Sequence, residues 1–143
     1  MAKSVQHSIR IRAKPSVVWD TLLDPTKIAR WMGGAHVEST WHPGDTISFT
    51  GTFHERPYQD RGTVLACDPE RVLRYSHWSA LSRLPDSDAT RTVITLTLQP
   101  EDDETDLEVR HDNLSSDAAF GHARFFWRNA LHDLKGIGES YAS

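Results

Sequence analysis

The chain has 143 residues, an ordinary balance of apolar and charged side chains and a formal net charge of -4, which suits one core and one domain over residues 1–143. Without a basic run it offers no nucleic-acid surface, no stretch reaches the length of a membrane span, and residues 1–12 lack the apolar centre of a signal peptide. Cys67 is the only cysteine, which excludes an internal disulfide and a cysteine metal cluster and points to a reducing cytoplasm.

Val5, His7, Ile9 and Ile11 alternate with Gln6, Ser8, Arg10 and Arg12, the period of a half-exposed strand. Pro15 opens a short helix, residues 16–23, that turns Val18, Trp19, Leu22 and Leu23 inward. Asp24 is placed to cap a second short helix that carries Ile28 and Trp31 and stops at Gly33 and Gly34. Strands are then predicted over 37–41, 46–53, 58–67 and 72–78. They are separated by turns rich in Pro, Gly and Asp, such as His42-Pro43-Gly44-Asp45 and Asp68-Pro69-Glu70. Residues 79–90 show no period and read as a long ordered loop. Two more strands, 91–99 and 105–112, flank the acidic run 101–104, which reads as a solvated hairpin turn.

Ser115 or Ser116 then caps a long helix, 117–137, with Phe120, Ala123, Trp127, Ala130, Leu131, Leu134 and Ile137 at helical spacing. One helix cannot bury so large an apolar face alone. It must lie across a curved antiparallel sheet, which makes the fold α+β.

This order of elements resembles the SRPBCC or START-like superfamily and its helix-grip, birch-pollen-allergen fold. Within it the chain is similar to the family named after the activator of heat-shock protein 90 ATPase, and to a bacterial branch known as SRPBCC domain proteins. The matching pieces are residues 13–19, Asp24-Pro25 with Trp31, the hairpin at Pro43-Gly44-Asp45, Gly62-Thr63-Val64 leading to Asp68-Pro69, and residues 73–78. Also matching are residues 79–86, Thr105-Asp106-Leu107, Asp112-Asn113 and the helix with Trp127, Leu131 and Leu134. The chain departs from its relatives at Gly136 and Gly138, and at His111. The resemblance implies a cavity between sheet and helix.

Alternation turns Leu73, Tyr75 and His77 to one face of their strand, and Leu107, Val109 and His111 to one face of theirs. If both faces are concave, the two histidines meet in the cavity. Two such groups could shuttle a proton, but they are too few for a structural zinc site, and neither metal nor cofactor is expected. The candidate ligand wall is Trp31, Phe49, Phe53, Tyr75, His77, Trp78, His111, Phe126, Trp127 and Ala130, with small Ala123 and Ala130 leaving space. No residue is assigned a catalytic role.

Three readings follow, in descending order. The first is a binder of a small hydrophobic or amphipathic molecule. The second is an enzyme like the START-like polyketide cyclases and aromatases, working through His77 with Tyr75 or His111. The third is an interaction module with a chaperone partner. Fold alone does not choose among them.

Overall fold

The computed structural model describes residues 2–142. Its elements run β1 (Lys3–Ile11), α1 (Pro15–Leu23), α2 (Pro25–Trp31), β2 (His36–Glu38), β3 (Thr46–Phe53), β4 (Arg56–Asp68), β5 (Val72–His77), β6 (Thr92–Glu101), β7 (Glu104–Leu114) and α3 (Asp117–Ser140). The strands form one antiparallel sheet in the order β1-β7-β6-β5-β4-β3-β2, curved around α3. After β1 the chain leaves the sheet through α1 and α2, returns at the opposite edge as β2 and meanders back to pair β7 with β1.

Asp24 ends α1 and starts α2. Its N–H bonds to Asp20 O at 2.9 Å while its carboxylate accepts from the N–H groups of Thr26 and Lys27 at 2.9 and 3.2 Å. Ser116, the second of the two candidate caps, accepts from Ala119 N–H at 3.0 Å and starts α3. The helix runs three residues past its predicted end at 137, through Gly136 and Gly138. Tertiary anchors outweigh the weak propensity of glycine there. The Glu139 carboxylate accepts from Arg12 N–H and from Lys135, and Lys135 also donates to Arg10 O on β1.

The predicted strand 37–41 shrinks to three residues, because the chain turns at Trp41, whose φ is 62°. The loop after β5 contains one 3-10 turn, Ala80–Ser82, capped by the Ser79 hydroxyl. The acidic run is a hairpin turn as read: Glu101 pairs with Glu104 across Asp102 and Asp103.

The core lies between the sheet's inner face and α1, α2 and α3. Register aligns one row across the sheet: Val5 opposite His111, His111 opposite Ile94, Ile94 opposite Tyr75, and Tyr75 opposite Val64. That row is buried apart from His111, which is half-buried. Trp127 on α3 comes down beside it, 6.3 Å from the His111 ring.

Candidate functional site

At one end of the helix the sheet and α3 diverge, and a pocket of about 670 Å³ opens between them. Its floor is Tyr75, Ile94, His111 and Trp127. Phe49, Tyr58, Asp60 and His77 form one wall, and Ala119, Ala123 and Phe126 form the helix side. The loop after β5 contributes Leu81 and Leu84. Together with Phe53 and Phe126 they leave large apolar side chains exposed around the opening.

Seven of the ten candidate residues meet here: Phe49, Phe53, Tyr75, His77, His111, Phe126 and Trp127. Three do not. Trp31 is buried behind Trp127, at 6.3 Å between rings, with its indole N–H donated to Thr21 O at 3.0 Å. Trp78 falls out of phase with His77 and lies under the Arg61 guanidinium, 4.9 Å away, donating to Leu84 O. Ala130 is closed into the core, so it offers no space to a ligand; Ala123 is the small residue that borders the pocket.

The two histidines are held differently. Trp127 Nε1–H donates to His111 Nδ1 at 3.0 Å, and an indole N–H can only donate. The single proton of the neutral imidazole therefore sits on Nε2 and is given to Thr92 Oγ1 at 2.8 Å. Burial first, and the charge of His77 second, push the His111 pKa down to about 4. Both nitrogens are engaged, so His111 has no lone pair left for a metal or a substrate proton. Among the described residues no three His, Cys, Asp or Glu side chains converge on one point.

His77 has a different partner from the two expected. Its Nε2 lies 3.1 Å from Asp60 Oδ2, and Asp60 Oδ1 accepts from Ala80 N–H at 2.9 Å. The imidazole stands edge-on to Phe49, 5.1 Å between centroids. Gly62 lies between the Val64–Tyr75 pair and the Arg61–Trp78 bridge, where its lack of a side chain lets β4 approach the backbone of Ser76 and His77. Asp60 was missed in the sequence, although Tyr58, Asp60, Gly62 and Val64 alternate onto the inner face in the same way as the residues of β5. A carboxylate in phase with that buried row was the available signal.

The loop over the opening is tied down on the outer side of the sheet. Asp86 receives Arg61 Nε at 2.6 Å and Arg91 at 2.7 and 3.1 Å, and these guanidinium groups hold its carboxyl well below the usual range. Arg91 also donates to Thr63 and Ser76, and Asn113 Nδ2 donates to Ala89 O and Arg91 O. This ordering is side-chain work, which is why no periodicity announced it.

The sequence profile of the family described as Activator of Hsp90 ATPase homolog 1-like protein matches residues 12–139. The chain belongs to this family. No curated protein matches it. Among solved structures, a protein of Cytophaga hutchinsonii is similar at 30% identity and TM-score 0.81, over 96% of this chain and 94% of that one. CalU16 from Micromonospora echinospora is 25% identical with TM-score 0.76, over 96% of this chain and 76% of its own. The Aha1 dimer of Colwellia psychrerythraea shares the fold at 19% identity and TM-score 0.75, with 96% of each chain covered. In this member of the Hsp90 ATPase activator-like family, no helix among the described residues is long and apolar enough to cross a membrane.

The buried His111 makes a pH prediction. Its folded pKa, about 4, lies below the roughly 6.5 of an unfolded histidine, so between those values the unfolded chain takes up a proton that the folded one refuses. Stability should therefore be unaffected above about pH 6.5 and fall as pH drops toward 4, by on the order of 3 kcal/mol from this group. Urea midpoints measured from pH 7.5 to 4 check this, and His111→Gln should flatten that part of the curve.

Proposed function

We propose that the protein binds a small hydrophobic or amphipathic molecule in the pocket between the sheet and α3. The observation that carries this reading is the pocket's composition: apolar atoms supply most of its open surface, with polar side chains such as Asp60, His77, Asn113 and His122 set among them. Phe53 and Phe126 offer exposed ring surface, Phe49 and Trp127 back the wall, and Tyr75 and His77 would orient the occupant. A single cysteine, half-buried beside Asp68 and with its thiol pKa raised by burial, suits a protein of the reducing cytoplasm.

Native mass spectrometry of freshly purified protein tests the reading, because a retained cell-derived ligand would appear as added mass. The variant to pair with it is Ala123→Phe, since Ala130→Phe would overpack the core instead of the pocket. Ala123→Phe should weaken uptake of a fluorescent hydrophobic probe by about tenfold or more by occupying the space the probe needs. Thermal melting of the same sample should show that it remains folded. Equal probe binding by wild type and variant would rule out this pocket.

Acid–base catalysis is the second reading, favoured by the Asp60–His77 pair: a carboxylate that orients an imidazole at a pocket wall is the arrangement a general base uses. His111 is unsuited to share that work, because both its nitrogens are already engaged. Product formed from an aromatic or polyketide compound, and lost in His77→Gln, would promote this reading over simple binding. A chaperone partner draws support from family membership alone and ranks last.

A further inference from the structure

The pocket wall holds a buried phenol that the protein itself leaves unanswered. Tyr75 is buried, at 3% exposure, yet its hydroxyl has no hydrogen-bond partner among the described residues. Among those residues the one fully enclosed side-chain nitrogen or oxygen without a partner is His7 Nε2, so the Tyr75 oxygen must border open space. The space that Tyr75 borders is the pocket. Burial raises the phenol's pKa, so it stays protonated and can donate.

Two residues along the same face of β5 stands His77. Asp60 occupies its Nε2, and in the neutral imidazole a carboxylate there keeps the one ring proton on that nitrogen. Nδ1 is left as an acceptor with no partner among the described residues. Both rings rest against Phe49, at 6.0 and 5.1 Å between centroids, so the free donor and the free acceptor flank one aromatic wall. Phe126 and Trp127, edge to face at 5.0 Å, close the helix side.

A ligand group that satisfies this pair must accept one hydrogen bond and donate another, and the rest of the molecule must be flat and apolar. A carboxylate has no proton for Nδ1 and would bring a second negative charge toward Asp60. A ketone accepts only, and an ammonium group has no lone pair for the tyrosine. A hydroxyl on an aromatic ring meets both demands. We propose that the pocket selects a phenolic ligand whose hydroxyl accepts from Tyr75 and donates to His77 Nδ1, with Asp60 fixing the imidazole. This assignment rests on the binding reading above and names the class of molecule it would hold.

The test is titration calorimetry at pH 7.5 with three probes of one shape: 2-naphthol, naphthalene and 2-naphthoate. Wild-type protein should bind 2-naphthol about tenfold or more tightly than naphthalene, the effect of two hydrogen bonds of about 0.5–1.5 kcal/mol each. Tyr75→Phe removes one of the two bonds and should cut that preference to about threefold, with naphthalene binding measured alongside as the reference. It should melt no lower than wild type, since the lost hydroxyl had no protein partner. Equal affinity for 2-naphthol and naphthalene, an unchanged preference in Tyr75→Phe, or tightest binding of 2-naphthoate would each overturn the phenol assignment while leaving a binding pocket in place. If none of the three probes binds, both the assignment and the binding reading fall.

Discussion

Gly62→Ala is expected to destabilise the protein by at least about 3 kcal/mol, the upper part of the range for overpacking a closed site. A Cβ at position 62 would lie 1.8 Å from the Ser76 carbonyl oxygen and 2.8 Å from its carbon. Both atoms are backbone, so no rotamer change relieves the clash. Ser76 cannot retreat either: it is paired with Val93 on β6, and its hydroxyl accepts from Thr63 N–H at 3.0 Å and from Arg91. The strands would have to part between Gly62 and His77, where the Asp60–His77 pair and the start of the covering loop are held. Loss of probe binding should therefore accompany the loss of stability. Gly136→Ala serves as the contrast. Nothing lies within 4 Å of its would-be Cβ, so a helix-interior glycine is replaced by a better helix former and stability should rise by about 0.5–1 kcal/mol. Urea denaturation of the two variants measures both effects, and a Gly62→Ala protein of wild-type stability would mean that β4 and β5 approach less closely than described.

The contrast between these glycines also shows what the sequence made legible. The period-2 runs and the apolar face of α3 determine which residues go inside, so the antiparallel sheet around one helix is legible in the sequence alone, as is the inward turn of Tyr75, His77 and His111. Side-chain partners are set by register between strands, which periodicity does not carry. His77 pairs with Asp60 because β4 lies beside β5, and the indole of Trp127 meets His111 because α3 crosses β7 at that height. Trp78 is a candidate by its place beside the loop that could cover the cavity mouth, although alternation alone sends it to the other face. Ala130 was included by helical spacing, but α3 is a cylinder: Ala123, Phe126 and Trp127 reach the open end, whereas Ala130 lies one turn further along, where helix and sheet have closed. The covering loop depends on Asp86 gathering Arg61 from β4 and Arg91 from the residue before β6, an arrangement invisible to any local pattern.

Trp127→Ala should cost roughly 3–5 kcal/mol, the usual range for removing a large buried aromatic. The ring is 1% exposed and packs against Trp31, Phe126 and His111. Its removal would extend the pocket into the core and expose apolar atoms to water or to void. A polar loss is added, because His111 Nδ1 would give up its only donor in a buried setting. Trp127→Phe separates the two contributions. It keeps most of the volume but not the N–H, and should cost about 1–3 kcal/mol, the penalty for leaving a buried acceptor unpaired. With Nδ1 free to take a proton, His111 should also titrate closer to an ordinary histidine, and the loss of stability between pH 6.5 and 4 should shrink in that variant. Chemical denaturation at pH 7.5 and pH 5 reads both quantities. A Trp127→Ala change below about 1 kcal/mol would place the indole in solvent. A Trp127→Phe protein with the wild-type pH profile would show that burial alone, without the indole bond, keeps His111 neutral.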